Sequence, residues 1–171
     1  MIAIPSPLHP AIVHFPIVLI LIGSVVAVAA VFIRRWHLPW LAAGMLAAGA
    51  AGSVAATWSG EEDGELAAEL SPTVEKILEE HEEWGERTRN IAIVAGLLGI
   101  AAASTSRFPK VARGLAAATA LAAVGASYAV AETGHYGGLL VYHHGVGINT
   151  SAGAIEAGGA PPTAKVRGSD D

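Results

Sequence analysis

The apolar positions of this chain gather into long runs, and between them polar positions come in short bursts. Ala11 to Ile33 is uncharged over 23 residues. At 1.5 Å of rise per residue such a run crosses a hydrocarbon core of about 30 Å as a helix. Arg34 and Arg35 close it. A second uncharged run, Leu38 to Gly60, enters through Pro39 and Trp40 and leaves through Trp58, with indoles where an interfacial belt places them. Asn90 to Ser106 is shorter, 17 residues, and is closed by Arg107, Lys110 and Arg113 around Pro109. Gly114 to Ala131 is the last of the four. The pattern predicts four spans, at about 11–33, 38–60, 90–106 and 114–131, in an all-α integral membrane four-helix bundle.

The stretches between and after the spans differ in kind. Residues 61–89 hold eleven Asp or Glu against Lys76, Arg87 and Arg89. Ser71 followed by Pro72 reads as an N-cap and a proline in the first turn. An outer acidic helix is therefore expected over 71–89, running into the third span with only Gly85 as a weak point. After Glu132, the segment from Gly134 to Gly147 is too rich in glycine for another span and too apolar for a free tail. It is expected to fold back as a re-entrant or surface-lying piece. This gives one membrane domain over 1–149 and a disordered tail over 150–171, where Gly, Ala, Pro and charge dominate.

Composition sharpens this picture. The chain has 171 residues, is 53% hydrophobic and only 15% charged, which is too little polar surface to cover a water-soluble globule. It has no cysteine, so it offers no disulfide, thiolate metal site or covalent haem attachment. A net charge of −5 without a basic tract excludes nucleic acid as a partner. The first ten residues carry no Lys or Arg, so the first run reads as a retained span and not a secretory signal. Arg34, Arg35, Arg107, Lys110 and Arg113 all sit in the two tight turns. The positive-inside rule then predicts a multi-pass protein of the inner membrane with those turns cytoplasmic and both termini outside.

That topology sorts the seven histidines. His9, His14, His81, His135, His143 and His144 fall on the outer side, and His37 alone on the other. A titratable group at the mouth of a span costs free energy unless it has a partner, which makes convergent histidines candidate ligands. The alternative for each is structural: an N-cap, a bond to a carbonyl, or simple exposure to water. Small residues at spacings of four, Gly44, Ala48 and Gly52, and again Gly114, Ala118, Ala122 and Ala126, suit close helix packing and would also make room for a flat macrocycle. Arg87 and Arg89 are then candidates for its propionates, unless they pair with Glu83 or Glu86 on their own helix. No Ser-His-Asp order, phosphate loop or H-E-x-x-H appears, and no catalytic residue is assigned.

Two of these motifs carry a resemblance. His9-Pro10-x-x-Val13-His14-Phe15-Pro16 and Gly137-Gly138-x-Leu140-Val141-Tyr142-x-His144-Gly145-Val146-Gly147, with His81 between them, make the chain resemble the bacterial membrane family known as domain of unknown function 2231. The resemblance implies a four-span domain, joined in some other chains to Rieske or cytochrome c modules, and hence redox work. His9, His14, His81 and His144 match its motif positions. The expectation is a redox subunit holding a b-type haem near the outer face. His14 and either His81 or His144 would be its axial ligands, and electrons would pass to or from a protein partner or a larger membrane complex. One alternative is a non-haem iron, copper or zinc site in which His9, His14, His81 and His144 join Glu82 or Glu132. Another is a structural scaffold subunit. On any of these readings the chain is an accessory or electron-transfer protein before it is a stand-alone enzyme, with membrane lipid as its constant neighbour.

Overall fold

The computed structural model describes residues 8–33, 35, 37–65 and 71–146, with side chains over 62–65 left aside; the tail expected to be disordered lies outside the described residues. All regular structure among them is helical: α1 (His9–Ile12), α2 (His14–Phe32), α3 (His37–Glu65), α4 (Pro72–Ser104), α5 (Pro109–Gly138) and a π turn (Leu139–His143). Only Val13 separates α1 from α2, and its backbone is still right-handed helical. The interruption has a local cause. Pro16 brings no N–H to the carbonyl four residues earlier, so the ladder loses a rung there.

Helix ends follow the breakers. Ile33 turns extended at the end of α2 while its N–H still reaches the Ala29 carbonyl. Ser71 is extended and Pro72 opens α4, although the Ser71 hydroxyl makes no capping bond. From there α4 runs through Gly85 and Asn90 without a break, so the acidic helix and the expected third span are one rod. Phe108 and Pro109 start α5 in the same manner.

One expectation fails. The chain does not leave the helix after Glu132; α5 continues through Gly134 and Gly137 to Gly138 before widening into the π turn. Burial of Leu140 against the helices favours continuation over a fold-back. The turn is closed by bonds from the Gly145 N–H to the Val141 carbonyl and from Val146 to Leu140, a helix cap made one residue wider by the π geometry. Gly145 takes φ +66°, the left-handed conformation that this cap needs.

The four long helices pack in a cycle: α2 against α3, α3 against α4, α4 against α5, and α5 back against α2. Between them the core is largely alanine. Ala27, Ala42, Leu46, Ala95, Ala120 and Ala123 form one cluster, and Ile20, Ala50, Ala92, Ala126 and Val130 another. A Cβ placed on Gly96 or Gly99 would come within 3.2 Å of the α3 backbone at Ala47 or Ala43, so these glycines set the distance between α3 and α4. Polar side chains bridge helices inside: Ser24 of α2 lies 2.8 Å from Ser127 of α5.

The stripes expected at spacings of four are only partly interfaces. Gly44 is exposed, Ala48 half-buried and Gly52 buried; Gly114 is exposed, Ala118 and Ala122 are half-buried and Ala126 is buried. Four residues turn a helix by about 40° more than a full circle, so such a stripe rotates from lipid into the core along its length.

The outside is the reverse of a soluble protein. Val18, Leu21, Ile22, Val25, Phe32, Val94, Leu97 and Leu121 are all exposed. A girdle of that kind is stable only against hydrocarbon. Among the described residues three helices are long and apolar enough to cross a membrane, His9–Phe32, His37–Glu61 and Pro109–His143; α4, which holds the expected third span, is not one of them.

Candidate functional site

His9 and His81 meet at the end of the molecule away from the two tight turns, their ring centroids 6.0 Å apart and their planes nearly perpendicular. Each is fixed in the same way, by a backbone carbonyl of a later helix. His9, on α1, donates from Nδ1 to the Ala56 carbonyl of α3 at 2.8 Å. The Ser59 hydroxyl lies 3.3 Å from the same nitrogen. That hydroxyl gives its proton to the Ala56 carbonyl, so it presents a lone pair to the imidazole. His81, on α4, donates from Nδ1 to the Thr133 carbonyl of α5 at 2.9 Å.

Beneath each ring is a glycine four residues beyond the accepting carbonyl. A Cβ on Gly60 would lie 3.0 Å from Cε1 of His9, and one on Gly137 would lie 3.0 Å from Cε1 of His81. The reason is stereochemical. A helical carbonyl points toward the residue four positions on, and a side chain there would shield it from a second donor. Glycine at that position lets the imidazole reach an oxygen already engaged in its helix. Ala56 with Gly60, and Thr133 with Gly137, are two copies of one cradle.

A carbonyl only accepts, so both rings carry their proton on Nδ1, and in the neutral ring the lone pair is on Nε2. Burial pushes the pKa of His81 below the usual 6.5; the bond to the Thr133 carbonyl pulls it back up, and the neighbouring His9 lowers it again. Thr133 also anchors the cradle sideways. Its hydroxyl donates to the Ala129 carbonyl, which leaves it to accept from Thr88 at 3.1 Å.

Acidic residues flank the pair in the sequence. Glu61 follows Gly60 in the chain and Glu82 follows His81. Loss of water on its covered side raises the Glu82 carboxyl above the usual carboxylate range, and the charges of Glu61, Glu79 and Glu86 raise it further. No group of three or more His, Cys, Asp or Glu placed to hold a metal ion occurs among the described residues.

The other expected site residues lie elsewhere. His14 is exposed and gives its Nδ1 proton to the Pro10 carbonyl of its own helix, 2.8 Å away. His144 is half-buried just after the π turn, while His143 and His135 are exposed, the latter edge-on to Tyr136. Arg87 pairs with Glu83 and stacks 4.6 Å over Trp84. Arg89 pairs with Glu86 and reaches Asn90 and Thr57. Both arginines thus take the same-helix carboxylates that the sequence offered as the alternative to propionates. Ser59, Gly60, Thr133 and Gly137 were not singled out as site residues. Gly137 did stand out in the sequence, as part of a motif and among the glycines that argued against a further span, while Gly60 entered only as the end of the second uncharged run.

No curated protein and no solved structure is similar enough to this chain to match it. The family model described as "Predicted membrane protein (DUF2231)" matches residues 5–150, and with that match over nearly the whole described chain the protein belongs to this family of membrane proteins.

Proposed function

We infer that this membrane protein holds a transition-metal ion on Nε2 of His9 and His81 and serves as an accessory subunit to a redox partner. The observation that carries the reading is the paired cradle. Two imidazoles are locked in the same tautomer by carbonyls of two different helices, so both lone pairs are on Nε2 atoms at one end of the protein. A metal-bound histidine is oriented by the same kind of bond from its other ring nitrogen. Two imidazoles leave coordination positions for Glu61 or Glu82, for water, or for a group on a partner. That donor set suits copper, zinc or iron, and such an ion would supply Lewis acidity or a one-electron couple.

A b-type haem fits these residues less well. His14, the expected axial ligand, is on the outer surface, and His81 faces His9 instead. Gly60 and Gly137 already touch the two rings, which leaves space for an ion more readily than for a macrocycle. The arginines that would bind propionates are paired with glutamates. Four crossings, with the carbon-rich half of α4 as the third, and an outward-facing histidine end complete the reading; the clustering of cations in the turns supports both.

Metal analysis of the protein purified in detergent tests it. The wild type and His14→Ala should retain about one ion per chain, and His9→Ala or His81→Ala should lose at least about nine-tenths of it. Full occupancy in both latter variants defeats the proposal. A reduced-minus-oxidised haem spectrum that disappears with His81→Ala would replace the ion by haem. Single cysteines at Glu62 and Lys110 test the orientation: an impermeant thiol reagent applied to intact cells should label the first and not the second.

A further inference from the structure

We propose that the end opposite the histidines binds one anionic phospholipid, with an acyl chain between α2 and α5 and the phosphate on the cations of the tight turns. A groove of about 310 Å³ opens between these two helices. Val28, Val31 and Phe32 line it from α2, and Ala117, Leu121 and Val124 from α5. Its lining is apolar throughout, and Phe32 and Leu121 stand out on either side, 79% and 77% exposed. Small Ala117 opposite branched and aromatic side chains leaves a trough that a flexible hydrocarbon chain fills and a rigid helix does not.

The charge at the mouth of this trough selects the headgroup. On α5, Arg113 and Lys110 precede Ala117 by four and seven residues, which places them on the stripe that continues through Leu121 and Val124. Past the end of the other wall, Arg35 lies three residues beyond Phe32, after the chain has turned extended at Ile33. All three cations are exposed. The sequence contains no Asp or Glu from Met1 to Gly60, and none from Arg87 to Ala131. Arg87 and Arg89 pair with glutamates at the other end. Three cations in stretches of sequence without a carboxylate, at the end of an apolar trough, complement a phosphodiester that carries its own acyl chains. The proposal is independent of the metal reading, since it uses no residue of the histidine end.

Native mass spectrometry of the full chain in detergent, titrated with phosphatidylglycerol, phosphatidylcholine or inorganic phosphate, tests this directly. Phosphatidylglycerol should bind one per chain and at least about tenfold more tightly than phosphatidylcholine. The preference should vanish when Arg35, Lys110 and Arg113 are all changed to Gln. Ala117→Phe, which fills the trough from an exposed position, should abolish tight binding of either lipid, while Val94→Phe on the lipid face of α4 should leave it unchanged. Thermal midpoints within a few degrees of wild type establish that the variants are folded. Equal binding of the two lipids, wild-type binding in Ala117→Phe, phosphate binding that lipid does not displace, or a dimer that occupies the trough would each overturn the proposal.

Discussion

At the histidine end, polar groups are held by many directed bonds, and backbone comes within van der Waals contact of both imidazole rings. At the turn end, Arg35, Lys110 and Arg113 are exposed, and the helices part to leave an apolar groove. The same four helices build both. What differs is the position of glycine and of hydrogen-bonding side chains. Glycines at 60 and 137 bring imidazoles onto carbonyls, whereas Gly114 at the turn end has nothing within 4 Å of where its Cβ would be. At these two ends glycine tightens the packing only where a donor uses the space it leaves, whereas in the core Gly96 and Gly99 do so by admitting the α3 backbone.

The largest expected effect follows from filling that space. Gly137→Val puts carbon 3.0 Å from Cε1 and 3.3 Å from Nδ1 of His81, so the ring must leave the Thr133 carbonyl. Bound metal should fall about 10- to 100-fold in affinity, as for loss of a group that orients a ligand. Gly134→Ala, one turn earlier with open space around it, should bind as the wild type does. Metal titrations of the two variants that agree with each other would erase the contrast between the two kinds of glycine.

Next in size is Thr133→Val. The carbonyl that holds His81 remains, but the buried Thr88 hydroxyl loses its acceptor, and an unsatisfied hydroxyl costs about 1–3 kcal/mol. Denaturation in mixed micelles should show that loss, with metal affinity changed much less than in Gly137→Val. A stability equal to wild type would mean that the Thr88–Thr133 bond does not tie α4 to α5.

How much of this the sequence contained can be judged from the same residues. The start of α4 was legible because Ser71 followed by Pro72 is a local signal that tertiary packing had no reason to override, whereas α5 begins at Pro109 and ends at Gly138, outside the expected 114–131 on both sides. The continuity of α4 past Gly85 was legible too, since one glycine costs a long helix only about 1 kcal/mol. The pairing of histidines was harder, because it depends on rotation about the helix axes. His9 and His14 are five residues apart, about 140° around a helix, so they cannot serve one site while both stay helical. That argument was open to sequence reasoning. The partner of His9 was not, because it is a carbonyl 47 residues away, and every residue has one. Gly134, Gly137 and Gly138 misled for a related reason. Glycine weakens a helix by propensity, yet here packing against α4 outweighs it and the helix continues.

A smaller effect separates the two ends by pH. The pKa of His81 is lowered on folding, so the unfolded chain binds the extra proton first. Stability of the metal-free protein is therefore complete above about pH 6.5 and declines as pH falls below it toward the folded-state value. The thermal midpoint should drop between pH 7.5 and pH 5.5, and the part of the drop due to this ring should be absent in His81→Gln. A midpoint that rises on acidification would contradict the sign of the shift.

The smallest effect is expected at the other end. Arg113→Gln removes an exposed charge with no ion pair among the described residues, and surface changes of that kind stay within about 0.5 kcal/mol. Metal content and detergent stability should both match the wild type. A loss of metal on this substitution would show that the two ends communicate through α5.

The cradles also bear on the order in which the protein is made. His9 bonds to α3 and His81 to α5, so each imidazole is held by a carbonyl of its own helical hairpin. As the ribosome delivers the chain, the first hairpin can finish its half of the centre before α4 and α5 have been synthesised. The second arrives with its own half already shaped by local pairing. Assembly then reduces to docking two preformed units.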